Sequence, residues 1–168
     1  MIPAEEALLG ALKECARHAF HMRMAREEIL EMKAIDAYRI DKLSKIEVRL
    51  VDQFIFRFSR LQDSMGQKLF KYLLEASREP LPDTATFLDK LRMLERLNIV
   101  HSAERWENAR LIRNRLAHDY PEAGTRAVIL AAAVNIAPAL VEVLERVAEF
   151  VEEKIGLPPI NLNSIGYD

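Results

Sequence analysis

The chain has 168 residues, half of them hydrophobic and 30% charged, with a formal net charge of −2. That length and composition suit one globular domain with a sizeable core and exclude a disordered chain. The near-neutral charge excludes a general nucleic-acid coat, so any RNA contact must be a local basic patch.

The opening residues, Met1 to Glu6, carry no basic n-region, so no signal peptide is expected. Residues 4 to about 33 are predicted as a first helix, because Leu8, Leu12, Ala16, Ala19 and Phe20 recur at helical spacing. Cys15 is the sole cysteine, which rules out an internal disulfide framework and suits a reducing cytosol. A cytoplasmic location is therefore expected. Cys15, His18 and His21 stand three apart, but a soft-ligand metal site adds a fourth ligand or a second cluster, and the sequence offers neither. No metal and no cofactor are expected.

A second, longer helix is predicted over about 41 to 77, with Leu43, Ile46, Leu50, Phe54, Phe58, Leu61, Met65, Leu69 and Tyr72 on its apolar face. A polar stripe of Gln53, Arg57, Arg60, Ser64, Gln67 and Lys71 runs beside it. Such a stripe is ordinarily a solvated face. Read functionally, it is a basic wall that could hold an RNA backbone, and Asp63 is near enough to pair with either arginine. Pro80 and Pro82 end the helix. Asp83 or Thr84 then caps a third helix that carries Phe87, Leu88, Leu91, Leu94 and Leu97.

Ser102 caps the helix that follows, with Glu104 in its first turn. This helix is predicted to run to Pro121, because a proline disfavours the α region for the residue before it. Trp106, Ala109, Ile112, Leu116, Ala117 and Tyr120 share its packing face, and Arg113 falls in the middle of that face. A guanidinium cannot shed its proton, so Arg113 needs an anionic or carbonyl partner. Glu107, Arg110, Asn114 and His118 form a neighbouring polar stripe. Taken singly, each has an ordinary explanation: an ion-paired arginine, a histidine at a helix end, a packed tyrosine. Together they could grip a phosphate and move a proton.

The last helix is predicted over about 125 to 154. Val128 to Val141 is apolar almost all round, so this helix should be central and the most buried, with a kink at Pro138. The longest charge-free run, Ala127 to Val141, is too short to span a bilayer, and no membrane association is expected. One domain is thus expected over 1–155. From Gly156 on, Pro158 and Pro159 stop regular structure, which leaves an extended or disordered tail over 156–168. The pattern is all-α, an up-and-down bundle of about five helices with 41–77 the longest.

The stretch Arg113-Asn114-Arg115-Leu116-Ala117-His118-Asp119-Tyr120 resembles the Arg-x4-His-x-Tyr signature of HEPN domains. It is most similar to the HEPN toxins encoded beside minimal nucleotidyltransferase antitoxins. The stretch Phe56 to Gly66 resembles the second helix of one branch of that family, and the resemblance covers most of residues 40 to 150. It implies a two-fold homodimer with the motif helices near the axis, and a ribonuclease that works without metal. His118 would be the general base or acid, Arg113 would stabilise charge on phosphorus, and Asn114 would orient the phosphate or the imidazole. Arg57, Arg60 and Arg110 would be the RNA contacts. The antitoxin would transfer AMP to Tyr120. On an ideal helix Arg113 and His118 lie about 140° apart, so two copies would have to converge across a cleft. The other function the family allows is a non-catalytic partner subunit that binds a nucleotide or substrate for the nucleotidyltransferase.

Overall fold

The computed structural model describes residues 1–33, 35–79 and 81–163; these are all-helical, with no strand among them. Pro80 and residues 164–168 of the tail lie outside the described residues. Pro3 opens α1 (Pro3–Met32), where the missing N–H of a proline costs nothing, and Glu5 reaches back to the Ile2 amide at 3.1 Å. A 3₁₀ turn (Ile40–Lys42) follows. The helix α2 (Lys45–Ser64) starts at a capping box: Ser44 accepts from the Glu47 amide and Glu47 accepts from the Ser44 amide, both at 3.2 Å. Ser44-x-x-Glu47 explains why the helix begins here and not at residue 41.

One π-helical turn (Met65–Leu69) then passes without a break into α3 (Phe70–Ala76), so the chain from 45 to 76 is one rod. Thr86, not Asp83 or Thr84, caps α4 (Phe87–Arg96), with Asp89 closing the box. Ser102 accepts from the Arg105 amide at 3.0 Å and caps α5 (Ala103–Leu116) as expected. The helix α6 (Ala123–Phe150) ends in a second π turn (Val151–Ile155), closed by Gly156 at φ 78°, a conformation that suits glycine.

Cross-contacts give the topology. Glu14 meets Lys68 and His18 meets Arg57, so α1 and the α2–α3 rod run antiparallel. Trp106 meets Phe70 and Arg113 meets Asp63, so α5 runs antiparallel to the same rod. Met22, Arg26, Ala137 and Val141 share a groove between α1 and α6. Four long rods thus make an up-and-down bundle, and short α4 packs on α5. With α2 and α3 as one rod, the α-helices number five among the described residues.

The middle of the core is the α2–α3 rod. Phe54, Phe58, Leu61, Met65, Leu69, Phe70 and Leu73 are all fully buried, against Leu8, Leu12 and Met22 of α1. Truncating any of these phenylalanines to alanine costs about 3–5 kcal/mol, since the neighbours cannot close the void. The last helix is not the most buried one: half of its most apolar 18-residue window lies inside the bundle, and Val128 is 70% exposed. A helix at the corner of a four-rod bundle hides one side only, however apolar the other side is. Nor is 41–77 the longest helix. Ala123–Ile155 has 33 residues, and by length and composition alone it is long and apolar enough to cross a membrane.

Pro138 sits inside α6 and cannot donate to the carbonyl four residues back, which is that of Val134. Arg26 of α1 fills the gap: its Nε donates to the Val134 carbonyl at 2.7 Å. From residue 157 to 163 the chain has no regular structure but folds back. Leu157 is buried, Ile160 and Leu162 pack on the core, and Asn163 accepts from Arg23 at 3.1 Å.

Candidate functional site

The motif helix ends earlier than the sequence suggests. Leu116 is its last residue, and the Ala117 and His118 amides donate three residues back, to Asn114 at 3.3 Å and Arg115 at 3.1 Å. This tighter last turn closes the helix, and Asp119 and Tyr120 leave it on the way to Pro121. Histidine and aspartate are weak helix formers, and the residue before a proline is pushed out of the α region. His118 and Tyr120 therefore sit on a loop, and the angles of an ideal helix do not relate them to Arg113. Their rings meet edge to face, with centroids 6.4 Å apart. His118 is exposed and Tyr120 half-buried.

Both rings line one cavity of about 270 Å³. Its apolar wall is built by Leu43, Val51 and Ile55 on one side and by Ile129 and Leu130 on the other. Its other ionisable groups are Asp52, Arg115, Asp119 and Arg126. The cavity thus lies where the start of α2, the loop after α5 and the first turns of α6 come together. Asp52, Arg115 and Arg126 were not singled out from the sequence. Arg115 stands inside the motif stretch and could have been. Arg126 and Asp52 come from elsewhere in the chain, and only the fold brings them here.

Arg113 is placed differently. It is half-buried between α5 and α2, where Nε and Nη2 hold the two oxygens of Asp63 at 2.8 and 2.7 Å. This is the anionic partner that a guanidinium on a packing face requires. Its hydrogen bonds to Asp63 raise the guanidinium's hold on its proton still further. Arg113 does not line the cavity of His118 and Tyr120. Within one chain the motif arginine and histidine are not brought to one cavity.

The other expected residues divide. Asn114 is exposed on the outer side of α5. Arg110 is exposed, stands 5.5 Å over the Phe87 ring and pairs loosely with Glu107 at 3.8 Å. Arg57 turns into the α1–α2 interface, where Nη1 meets His18 Nδ1 at 3.1 Å. Arg60 is exposed nearby. Of the polar stripe, Arg57 and Ser64 reach α1, Gln53, Arg60, Gln67 and Lys71 are exposed, and none borders the cavity. Ser64 donates to Glu14 at 2.7 Å and Lys68 reaches the same carboxylate at 3.0 Å. Burial, then the Arg57 guanidinium, holds the His18 ring down at about 4, so it is neutral at ordinary pH. Cys15 is fully buried, and burial pushes its thiol well above the ordinary range. Among the described residues no three His, Cys, Asp or Glu side chains gather as a metal site.

The exposed imidazole, the phenol and the two cavity arginines can exchange a proton with a bound ligand and hold a phosphate oxygen. No family model, no curated protein and no solved structure matches this chain.

Proposed function

We propose that this chain is a HEPN-type RNA endonuclease that needs no metal, and that it is the toxin of a pair whose antitoxin is a minimal nucleotidyltransferase. The observation that carries the reading is the placement of His118 and Tyr120. The two motif side chains leave the helix together, stay accessible and open onto one cavity that two arginines also line. In the reaction, the ribose 2′-oxygen attacks its own phosphorus while His118 takes the 2′-hydroxyl proton. The bond from phosphorus to the 5′-oxygen breaks, and a protonated imidazole returns a proton to that oxygen. The products are a 2′,3′-cyclic phosphate and a free 5′-hydroxyl.

Arg113 supplies charge at phosphorus in this reading. Asp63 holds Nε and Nη2, so Nη1 is the donor that would meet the phosphate in this reading. One chain does not bring Arg113 to the cavity, so the reading requires a two-fold homodimer whose clefts combine both copies. Tyr120 is the AMP acceptor, and a nucleotide there would block the cavity and neutralise its arginines.

The Arg113–Asp63 pair also favours a second reading. A motif arginine committed to a structural carboxylate suits a subunit that binds a nucleotide for its nucleotidyltransferase and cleaves nothing. Growth after expression of this chain alone separates the two. Arrest that His118→Ala abolishes supports the nuclease. Unimpaired growth supports the binding subunit.

A further inference from the structure

Arg126 stands in the first turn of α6, and no motif points to it. Its Nη2 donates to Asp41 of the 3₁₀ turn, which fixes the plane of the guanidinium. Its Nε is shut off from solvent and has no hydrogen-bond partner among the described residues. A guanidinium offers five donors in one plane and keeps its charge, so a buried donor left unpaired favours any ligand oxygen that can reach it. The same side chain lines the cavity of His118 and Tyr120.

The rest of the cavity narrows the ligand. Val51, Ile55 and Ile129 give it an apolar wall suited to a flat ring. Asp52 and Asp119 line the cavity along with the two arginines, which disfavours a bare anion and favours a ligand with donors as well as a phosphate. A volume of about 270 Å³ holds one small ligand rather than several units of a strand. A nucleotide meets each condition: a base for the wall, hydroxyl or amine donors for the carboxylates, a phosphate for the cation.

We propose that this cavity seats one nucleotide of the RNA strand, with Arg126 as its phosphate anchor and the apolar wall against its base. The proposal rests on the nuclease reading above and adds to it a positioning residue outside the motif. Arg126 does not transfer a proton. It sets how tightly the strand is held beside His118.

The test is calorimetric binding of the four ribonucleoside 5′-monophosphates and their parent nucleosides to wild type and Arg126→Gln. At least one monophosphate should bind wild type and bind Arg126→Gln about tenfold more weakly, as expected for a lost charge-assisted contact. The parent nucleoside should bind both alike. If Arg126→Gln loses its helical circular dichroism, Arg126→Lys is measured instead; it keeps the charge but not the planar fork and should bind roughly threefold more weakly. The proposal is overturned if no monophosphate binds wild type, or if the arginine variants bind as wild type does. On RNA, Arg126→Gln should raise KM and leave kcat nearly unchanged. An unchanged KM overturns the anchor and leaves the nuclease standing. Binding through Arg126 without RNA cleavage does the reverse.

Discussion

Arg113 grips Asp63 through two parallel hydrogen bonds, at 2.8 and 2.7 Å, and so ties the motif helix α5 to the middle of α2. The two side chains are 28% and 24% exposed, so the pair is only partly screened by water. A planar fork on a carboxylate is among the stronger ion pairs, and removing one partner leaves the other without its counter-charge. Asp63→Ala should therefore cost about 1–2 kcal/mol in a urea melt. The exchanged pair, Asp63→Arg with Arg113→Asp, should recover part of that stability. If Arg113 also acts on the phosphate, the exchange restores folding but not cleavage. Restored cleavage would show that the arginine serves only the fold.

Tyr120→Phe keeps the ring that packs against His118 and removes the phenol. The variant should fold and remain toxic, and its toxicity should persist beside the nucleotidyltransferase. Intact mass after incubation with that enzyme, Mg²⁺ and ATP should show added AMP on wild type and none on the variant. Equal addition to both would place the acceptor elsewhere.

His18 predicts how stability follows pH. The folded ring stays neutral down to about 4, because burial and then Arg57 oppose its charge, while an unfolded ring titrates near 6.5. Arg60 and Arg17 add to the effect, and Glu14 works against it. Between these two values the unfolded chain binds more protons than the folded chain, so stability rises with pH. The contribution is complete above pH 6.5 and is lost as pH falls towards 4, by an amount on the order of 2–3 kcal/mol. Urea midpoints measured from pH 4 to 7.5 should fall more steeply on the acid side for wild type than for His18→Gln. Superimposable curves would contradict the assignment.

Arg26 and Pro138 should be coupled. The guanidinium answers a carbonyl that the proline leaves without its helical donor. Arg26→Ala should cost about 1.5–3 kcal/mol in the wild-type background, the range for a hydrogen bond to a charged group. In a Pro138→Ala background residue 138 can donate to Val134 itself, and the cost should shrink. Equal costs in both backgrounds would show that the two residues act independently.

The sequence made the helices legible because their apolar residues recur at helical spacing and Ser102 announces α5. It also shows that Arg113 needs an anionic or carbonyl partner, but not which one. In sequence Asp63 is near Arg57 and Arg60, and the fold gives it to Arg113, 50 residues away. The capping boxes at Ser44 and Thr86 were present as signals and would have corrected two helix starts. The burial of α6 was misjudged because an apolar composition does not say how many neighbours a helix will have. The end of α5 was misjudged because Pro121 marks the latest point at which a helix can stop, not where it does stop. Arg126 could not be read at all, since nothing local marks an arginine that long-range packing will bring beside His118.

In the proposed reaction His118 drives RNA chain cleavage through the 2′-oxygen without a metal. Purified wild type and His118→Ala should be incubated with cellular RNA in EDTA, and the fragment ends mapped. Fragments that carry 2′,3′-cyclic phosphate and 5′-hydroxyl ends with wild type, and none with His118→Ala, are the predicted result. Intact RNA with wild type, or the same fragments from His118→Ala, would contradict it.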